Sequence, residues 1–274
     1  MGDRNDSLTR VQPIFDALLD QRSGGDVWLS ELWGMAASTR PGVALSKPAD
    51  FGELLDVETT TNRTDRLGTV YERVVPPPTA FLRWLLENPQ RMQVRDPVNF
   101  GGKSDRTQRW RRKLFSGDTH LVTEAQEEAR RQLGKRLAQR GRNKWWAFEG
   151  FARVDCCVVT NRCVLFVEGS HPEGPPPSTL WFPDRTQLWR NVEAAKELAS
   201  GRAFAVILAV EREPDGKTAL TSAASSRDDS YPHLDAKQRT ELDRHLLGFV
   251  TWSQIVARCG LPPECLSDDL VPME

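Results

Sequence analysis

The sequence has 274 residues, of which 39% are hydrophobic and 27% are charged, and its formal net charge is −1. This composition is typical of a globular protein with a sizeable core, and so small a net charge does not by itself indicate a nucleic-acid-binding protein. No run of about 18 apolar residues occurs, which excludes a transmembrane helix. The first residues are polar and lack the apolar stretch of a signal peptide, so we expect a cytoplasmic protein without membrane contact.

The cysteines and histidines do not indicate a zinc site. The five cysteines include no Cys-x-x-Cys pair, and three of them fall in apolar runs. The four histidines are scattered and lack the spacing of metal ligands. We therefore expect reduced, partly buried thiols.

Residues 1–115 indicate a largely helical N-terminal extension. Apolar residues recur at helical spacing over 8–22 and over 79–87, where Asn88-Pro89 ends the pattern. Residues 69–75 fit a strand and a short helix equally. Residues 89–120 are polar and basic and predict a connector.

A different pattern predicts an α/β core over residues 116–260. Thr123-Glu124-Ala125-Gln126 matches a capping box at the start of a helix. Near-continuous apolar runs follow, which favour strands covered on both faces, and Asn161-Arg162 has the length of a hairpin turn. The expected elements are a helix over 123–140, strands over 145–152, 153–160 and 163–168, a helix over 185–200 and a strand over 204–210.

The remaining C-terminal part is predicted to be mostly helical. Residues 211–234 are polar and predict a loop. Helical spacing follows over 235–247, and a short helix is expected over 251–259. Residues 261–274 indicate a tail.

Two carboxylates in the predicted core indicate metal chemistry. Asp155 lies inside an apolar strand, and Glu168 ends the next strand. Burial of a bare carboxylate among valines and cysteines is costly unless an opposite charge offsets it. A divalent cation would provide that charge, and Mg²⁺ prefers hard oxygen ligands. Glu149, on the first predicted strand, is a further candidate metal ligand.

The α-β-β-β-α-β order, with Asp155 on the second strand and Glu168-Gly169-Ser170 on the third, resembles the core of the PD-(D/E)XK nuclease superfamily. The resemblance covers about residues 121–211. It implies a restriction-endonuclease-like α/β (α+β) fold with a helical N-terminal extension. It also implies that Asp155 and Glu168 bind Mg²⁺, or Mn²⁺ in its place, and that the protein hydrolyses DNA phosphodiester bonds.

The resemblance further implies an acid on the first helix and a lysine on the third strand. Glu128 is the favoured helical acid, and Glu124 and Glu127 are the other candidates. Ser170 occupies the lysine position. A serine carries no positive charge and is a poor activator of water at neutral pH, so another residue is expected to replace the lysine.

Candidates for that replacement lie nearby in the sequence. The crossover helix offers Gln187 and Arg190, and Lys144 precedes the first predicted strand. Arg190 could contact a scissile phosphate through a bidentate guanidinium. Ser170, Gln187 and Arg190 are therefore included among the candidate catalytic residues.

Three interpretations stay open. The first is a metal-dependent nuclease acting on DNA. The second is a catalytically inactive protein of the same fold that binds nucleic acid or protein, which Ser170 favours. The third is an unrelated α/β interaction protein.

The partner predictions rest on charge distribution and on residues 1–115. Residues 106–113 are rich in arginine, and residues 130–144 hold seven basic residues and no acidic one, which favours phosphate contact. DNA is therefore the expected partner. Residues 1–115 are candidates for contact with a second copy of the chain or another protein, for shaping a DNA channel, or for covering a sheet edge.

Overall fold

The computed structural model describes residues 10–21, 25–43, 45–59, 73–101, 104–136, 144–169 and 180–267, and these residues form both helices and strands. In chain order the elements are α1 (Gln12–Asp20), α2 (Gly25–Ser38), β1 (Leu54–Thr59), β2 (Arg73–Val75), α3 (Thr79–Glu87), α4 (Asp105–Leu114), α5 (Thr119–Arg136), β3 (Ala152–Val154), β4 (Cys156–Thr160), β5 (Cys163–Gly169), α6 (Gln187–Ala199), β6 (Ala203–Val210), α7 (Glu213–Ser230), α8 (Ala236–Asp243), β7 (Leu246–Thr251) and α9 (Trp252–Arg258). Short 3-10 helices lie at Pro89–Arg91 and Pro263–Leu266. None of the described helices is long and apolar enough to cross a membrane.

Five strands form a mixed sheet in the order β1-β4-β5-β6-β7. β4 runs antiparallel to β1 and β5, whereas β5, β6 and β7 run parallel. Nearly every residue of β4, β5 and β6 is buried, as expected for apolar strands covered on both faces. The predicted mixed α/β class is confirmed.

Helices cover both faces of this sheet. Val158 and Leu165 belong to a core shared with α1, α2 and α9. Val159 and Phe166, the next residues along each strand, belong to a core shared with α6, α7 and α8. Successive strand residues point to opposite faces, so the sheet is the middle of three layers.

α3, α4 and α5 form a further body, which we call the helical layer. Its apolar core also includes residues from two connecting segments, 145–148 and 181–182. Aromatic rings dominate it: the Phe148 and Trp181 centroids lie 4.8 Å apart, and those of Phe100 and Trp181 lie 5.2 Å apart. The helical layer is therefore joined to the sheet through the chain on either side of β4 and β5.

The first strand predicted for the core is wrong. Residues 145–151 contain turns and bends, and only Ala152–Val154 is extended, paired with β2 in a separate two-stranded sheet. Trp145 and Trp146 pack in the core of the helical layer instead. The edge position beside β4 is taken by β1, so part of the predicted N-terminal extension completes the main sheet.

Several other elements match their predictions. The helix expected over 79–87 is α3, the helix over 185–200 is α6, and the strand over 204–210 is β6. The hairpin turn at Asn161-Arg162 joins β4 to β5. Its geometry is fixed by the Thr160 hydroxyl, which accepts the backbone N–H of Cys163 at 2.7 Å.

The connector predicted over 89–120 is partly helical, because it contains α4 and the start of α5. The capping box predicted at Thr123 is wrong. Asp118 caps α5, since its carboxylate accepts the backbone N–H groups of His120 at 2.8 Å and Leu121 at 3.1 Å. The Thr123 hydroxyl donates to the Thr119 carbonyl inside the helix.

The loop predicted over 211–234 is wrong, because α7 occupies most of it. Pro214 lies in the first turn, where its missing N–H costs nothing. The helix packs through small residues that leave no apolar pattern in the sequence. Its buried positions are Gly216, Ala223 and Ser230.

The helix predicted over 235–247 ends at Asp243, and the chain then enters β7. Pairing with β6 favours the strand. Gly248 is needed there, because its φ is +148° and an added Cβ would lie 2.2 Å from the Ala36 carbonyl oxygen. Thr39, directly after α2, connects this helix to β7, because its hydroxyl accepts a hydrogen bond from the Phe249 N–H at 2.9 Å.

Candidate functional site

Asp155 and Glu168 lie at the same end of the β4–β5 hairpin. β4 pairs with β5 so that Cys156 faces Val167, and Asp155 directly precedes Cys156 while Glu168 directly follows Val167. The two carboxylates therefore lie at one edge of the sheet, at the carboxyl end of β5.

Asp155 also links the start of β4 to the end of β5 through a hydrogen bond. Its Oδ2 accepts the backbone N–H of Gly169 at 2.8 Å. A bend at Asp155 separates β3, which belongs to the small sheet, from β4, which belongs to the main one. The side chain is half-buried, whereas Glu168 is 8% exposed.

Arg190 is a buried cation whose charge interacts with that of Glu168. It lies one turn into α6, and Glu168 is among the charges that favour its protonated form. Its Nη2 donates to the Gly150 carbonyl at 3.0 Å, and its Nε lies 2.8 Å from Glu149 Oε1. Burial lowers the pKa of Arg190, and Glu149 counteracts part of that effect.

Glu149 is engaged by two guanidinium groups. Its Oε1 accepts the Arg185 Nε–H at 2.8 Å and faces Arg190 at the same distance, and its side chain is fully buried. The two cations balance its charge, which leaves little negative charge to attract a metal ion. The structure thus gives Glu149 protein partners at the position where the sequence suggested a metal ligand.

Arg185 is the centre of a buried ionic network that the sequence did not reveal. Besides Glu149, its guanidinium donates to Glu193 Oε2 at 2.7 Å and to the Ser230 carbonyl at 2.9 Å. His233 Nε2 lies 2.8 Å from the other oxygen of Glu193. An arginine at the start of the predicted helix over 185–200 gave no signal of burial, because Glu149 and Ser230 are distant from it in sequence.

The candidate helical acids have other partners. Glu128 accepts hydrogen bonds from Arg131 and Gln132, and these bonds outweigh burial and lower its pKa. Glu124 pairs with Lys113. Among the described residues, no three His, Cys, Asp or Glu side chains form a group that could hold a metal ion, so none of these glutamates joins Asp155 and Glu168 in such a group.

Asp16 is an acid near this edge that the sequence did not single out. It lies on α1, and its charge, with those of Asp155 and Glu168, raises the pKa of the buried Cys156 thiol, on which burial has the larger effect. Burial also raises the pKa of Asp16 itself. In the sequence, the position of Asp16 on the polar side of an amphipathic helix was the signal that could have identified it. The packing of α1 against the sheet is what brings it near β4.

The other candidates occupy varied positions. Ser170 lies outside the described residues. Gln187 is the first residue of α6. Lys144 places its ammonium 5.3 Å from the ring centre of Trp146, in a cation–π contact within the helical layer.

Comparison with known proteins identifies no relative. No family model, curated protein or solved structure matches the chain. The function must therefore be inferred from the residues themselves.

The carboxylates of Asp155 and Glu168 are the type of ligand that Mg²⁺ prefers. Mg²⁺ is commonly held by one or two carboxylates and completes its shell with water and substrate phosphate oxygens. Two carboxylates at the same end of adjacent strands would meet that requirement without a third protein ligand. Positions outside the carboxyl ends of parallel strands, where connections diverge, are also common ligand sites in α/β proteins.

Proposed function

We propose that the protein is a divalent-cation-dependent nuclease that hydrolyses DNA phosphodiester bonds. The proposal rests on the β4–β5 register, which brings Asp155 and Glu168 to the same end of the hairpin, at the carboxyl end of β5. Two acids on adjacent strands repel each other and lose hydration, a cost that a bound cation offsets. Both are expected to bind Mg²⁺ or Mn²⁺.

The remaining residues would act on the substrate. A bound divalent cation supplies Lewis acidity and lowers the pKa of a coordinated water. Arg190, fixed by Glu149 and the Gly150 carbonyl, would hold a phosphate oxygen beside the two acids. Ser170, at the position of the motif lysine, and Gln187, at the start of α6, stay predicted contributors.

The test compares metal binding and DNA cleavage in wild type, Asp155→Asn and Glu168→Gln. An asparagine at 155 can still accept the Gly169 N–H, so this variant removes charge while keeping the hydrogen bond. We expect Mn²⁺ affinity measured by calorimetry to fall by more than about 100-fold, since even outer-shell changes cost about 10–100-fold. Metal-dependent plasmid cleavage should be lost as well.

Glu241→Gln is the matched control. Glu241 is an exposed acid on α8, paired with Arg244 at 3.2 Å, and its loss changes the net charge equally. It should leave metal binding and cleavage unchanged. Wild type that binds no divalent cation, or variants that cleave DNA normally, would refute the proposal.

A catalytically inactive binding protein of the same fold is the second candidate. The hydrogen bond from the Gly169 N–H gives Asp155 a structural role that needs no metal, and Ser170 lacks the charge of a lysine. Retained DNA binding without metal binding or cleavage would favour this candidate.

A further inference from the structure

The helical layer is joined to the sheet at the edge that carries Asp155 and Glu168. Residues 145–148 of this layer lead through β3 into the start of β4, and residues 181–182 lie on the path from the end of β5 to α6. Because β4 and β5 are antiparallel, the start of one and the end of the other share an edge.

α4 is held in the helical layer by an inward arginine. Arg111 is 4% exposed, donates to the Trp145 carbonyl at 2.9 Å, and stacks 4.8 Å from the Trp181 ring centre. Thr107 and Leu114 are buried on the same face of the helix. At 3.6 residues per turn, Arg109 and Arg112 lie on the opposite face, and both are exposed.

Arg109 and Arg112 differ from the basic residues around them. Lys113 pairs with Glu124, Arg130 with Glu87 at 3.2 Å, and Arg131 with Glu128. Neither Arg109 nor Arg112 forms an ion pair with any residue in the described ranges. The helix dipole favours a cation in the last turn, which accounts for Arg112 but not for Arg109 in the middle of the helix.

We propose that the outward face of α4, centred on Arg109 and Arg112, binds the phosphate backbone of the DNA whose scissile bond lies at Asp155 and Glu168. This inference rests on the proposed nuclease function and names the surface that holds its substrate. The two side chains are one helical turn apart, about 5–6 Å between Cβ atoms, so both guanidinium groups can contact neighbouring phosphates of one strand. Backbone contact of this kind gives affinity without sequence preference.

The test measures binding of a fluorescently labelled DNA duplex by anisotropy in EDTA, where no metal-dependent cleavage occurs. The double variant Arg109→Ala/Arg112→Ala is compared with Arg130→Ala/Arg131→Ala, which also removes two charges from the helical layer but from arginines that pair with glutamates. From ~50 to ~200 mM salt, the slope of log affinity against log salt should flatten by about 1.8 in the first variant, about 0.9 for each lost phosphate contact. Affinity at low salt should fall at least tenfold there, and less than threefold in the control.

Thermal melting of both variants checks that they fold. An equal loss of slope in the two variants, or wild type that binds no DNA, overturns the inference. The nuclease proposal is tested separately: DNA binding that depends on Arg109 and Arg112 without cleavage refutes only the nuclease, whereas cleavage with an unchanged salt slope refutes only this surface.

Discussion

A single buried arginine links three separate parts of the chain. Arg185 is fully buried, with its guanidinium carbon 4.0 Å from the Phe81 ring centre, yet each of its nitrogens has an oxygen acceptor. Burial would lower its pKa, but Glu149 and Glu193 outweigh that effect and raise it. A buried charge of this kind is tolerated because it is paired and each of its nitrogens is hydrogen-bonded.

Arg185→Met should lower the free energy of unfolding by about 3–5 kcal/mol, because it removes the cation that two buried carboxylates share and leaves Glu149 with Arg190 and Glu193 with His233. Urea unfolding followed by tryptophan fluorescence measures the change. Arg131→Met is the control, since Arg131 forms an exposed i,i+3 pair that contributes less than about 1 kcal/mol. Similar losses in the two variants would contradict this account of the network.

The charge of Glu193 predicts a pH dependence of stability. Burial would raise the pKa of Glu193, but Arg185 and His233 outweigh it and hold the pKa below its ordinary value of 4.5. A carboxyl group with a depressed folded-state pKa stabilises the protein above its unfolded-state pKa. That stabilisation is lost as the pH falls through the folded-state pKa.

The stability difference between wild type and Glu193→Gln should therefore shrink as the pH falls below 4.5. Urea unfolding of both proteins at a series of pH values measures it. Glu241→Gln, on the exposed side of α8, controls for general acid effects. A difference that stays constant or grows towards low pH would show that Glu193 does not ionise as described.

At the scale of elements, α7 and β7 show how packing overrides local pattern. α7 contacts the sheet through small residues, and an added Cβ at Gly216 would lie 2.4 Å from the Phe249 ring. Phe249 is itself buried, with 2% of its surface exposed. The helix can thus approach β7 only because residue 216 has no side chain.

Gly216→Ala should therefore destabilise the protein by roughly 1–2 kcal/mol, as overpacking outweighs the gain in helix propensity. Gly34→Ala on α2 is the matched control, because nothing lies within 4 Å of its added Cβ. That substitution should raise stability by up to about 1 kcal/mol. If the denaturant midpoints of the two variants moved in the same direction, this account of Gly216 would be contradicted.

At the scale of the whole molecule, the sheet edge, the ionic network and the helical layer form one connected arrangement. Glu149 follows the helical-layer residues 145–148 and binds Arg185 and Arg190, and the charge of Arg190 interacts with that of Glu168. The proposed metal-binding acids and the proposed DNA-binding face of α4 are therefore linked through buried contacts. The metal-binding test addresses the two acids, and the DNA-binding test addresses the face of α4 independently.

The sequence by itself determined the elements whose signals are local. Continuous apolar runs predicted β4, β5 and β6, periodic apolar residues predicted α3 and α6, and a charged residue inside an apolar run marked Asp155. The position of Glu168 at the same end of the hairpin was also predictable, because strands joined by a two-residue turn leave little freedom in register.

Only the tertiary structure decided the features that depend on contacts between distant residues. β1 was placed beside β4, and residues after Asp243 were drawn into β7, by strand pairing that no local propensity encodes. Trp145 and Trp146 had the apolarity of a strand but fill a helical core. Arg185 was indistinguishable from a solvated arginine until folding brought Glu149 and Glu193 to it, because burial and charge pairing are properties of the assembled chain.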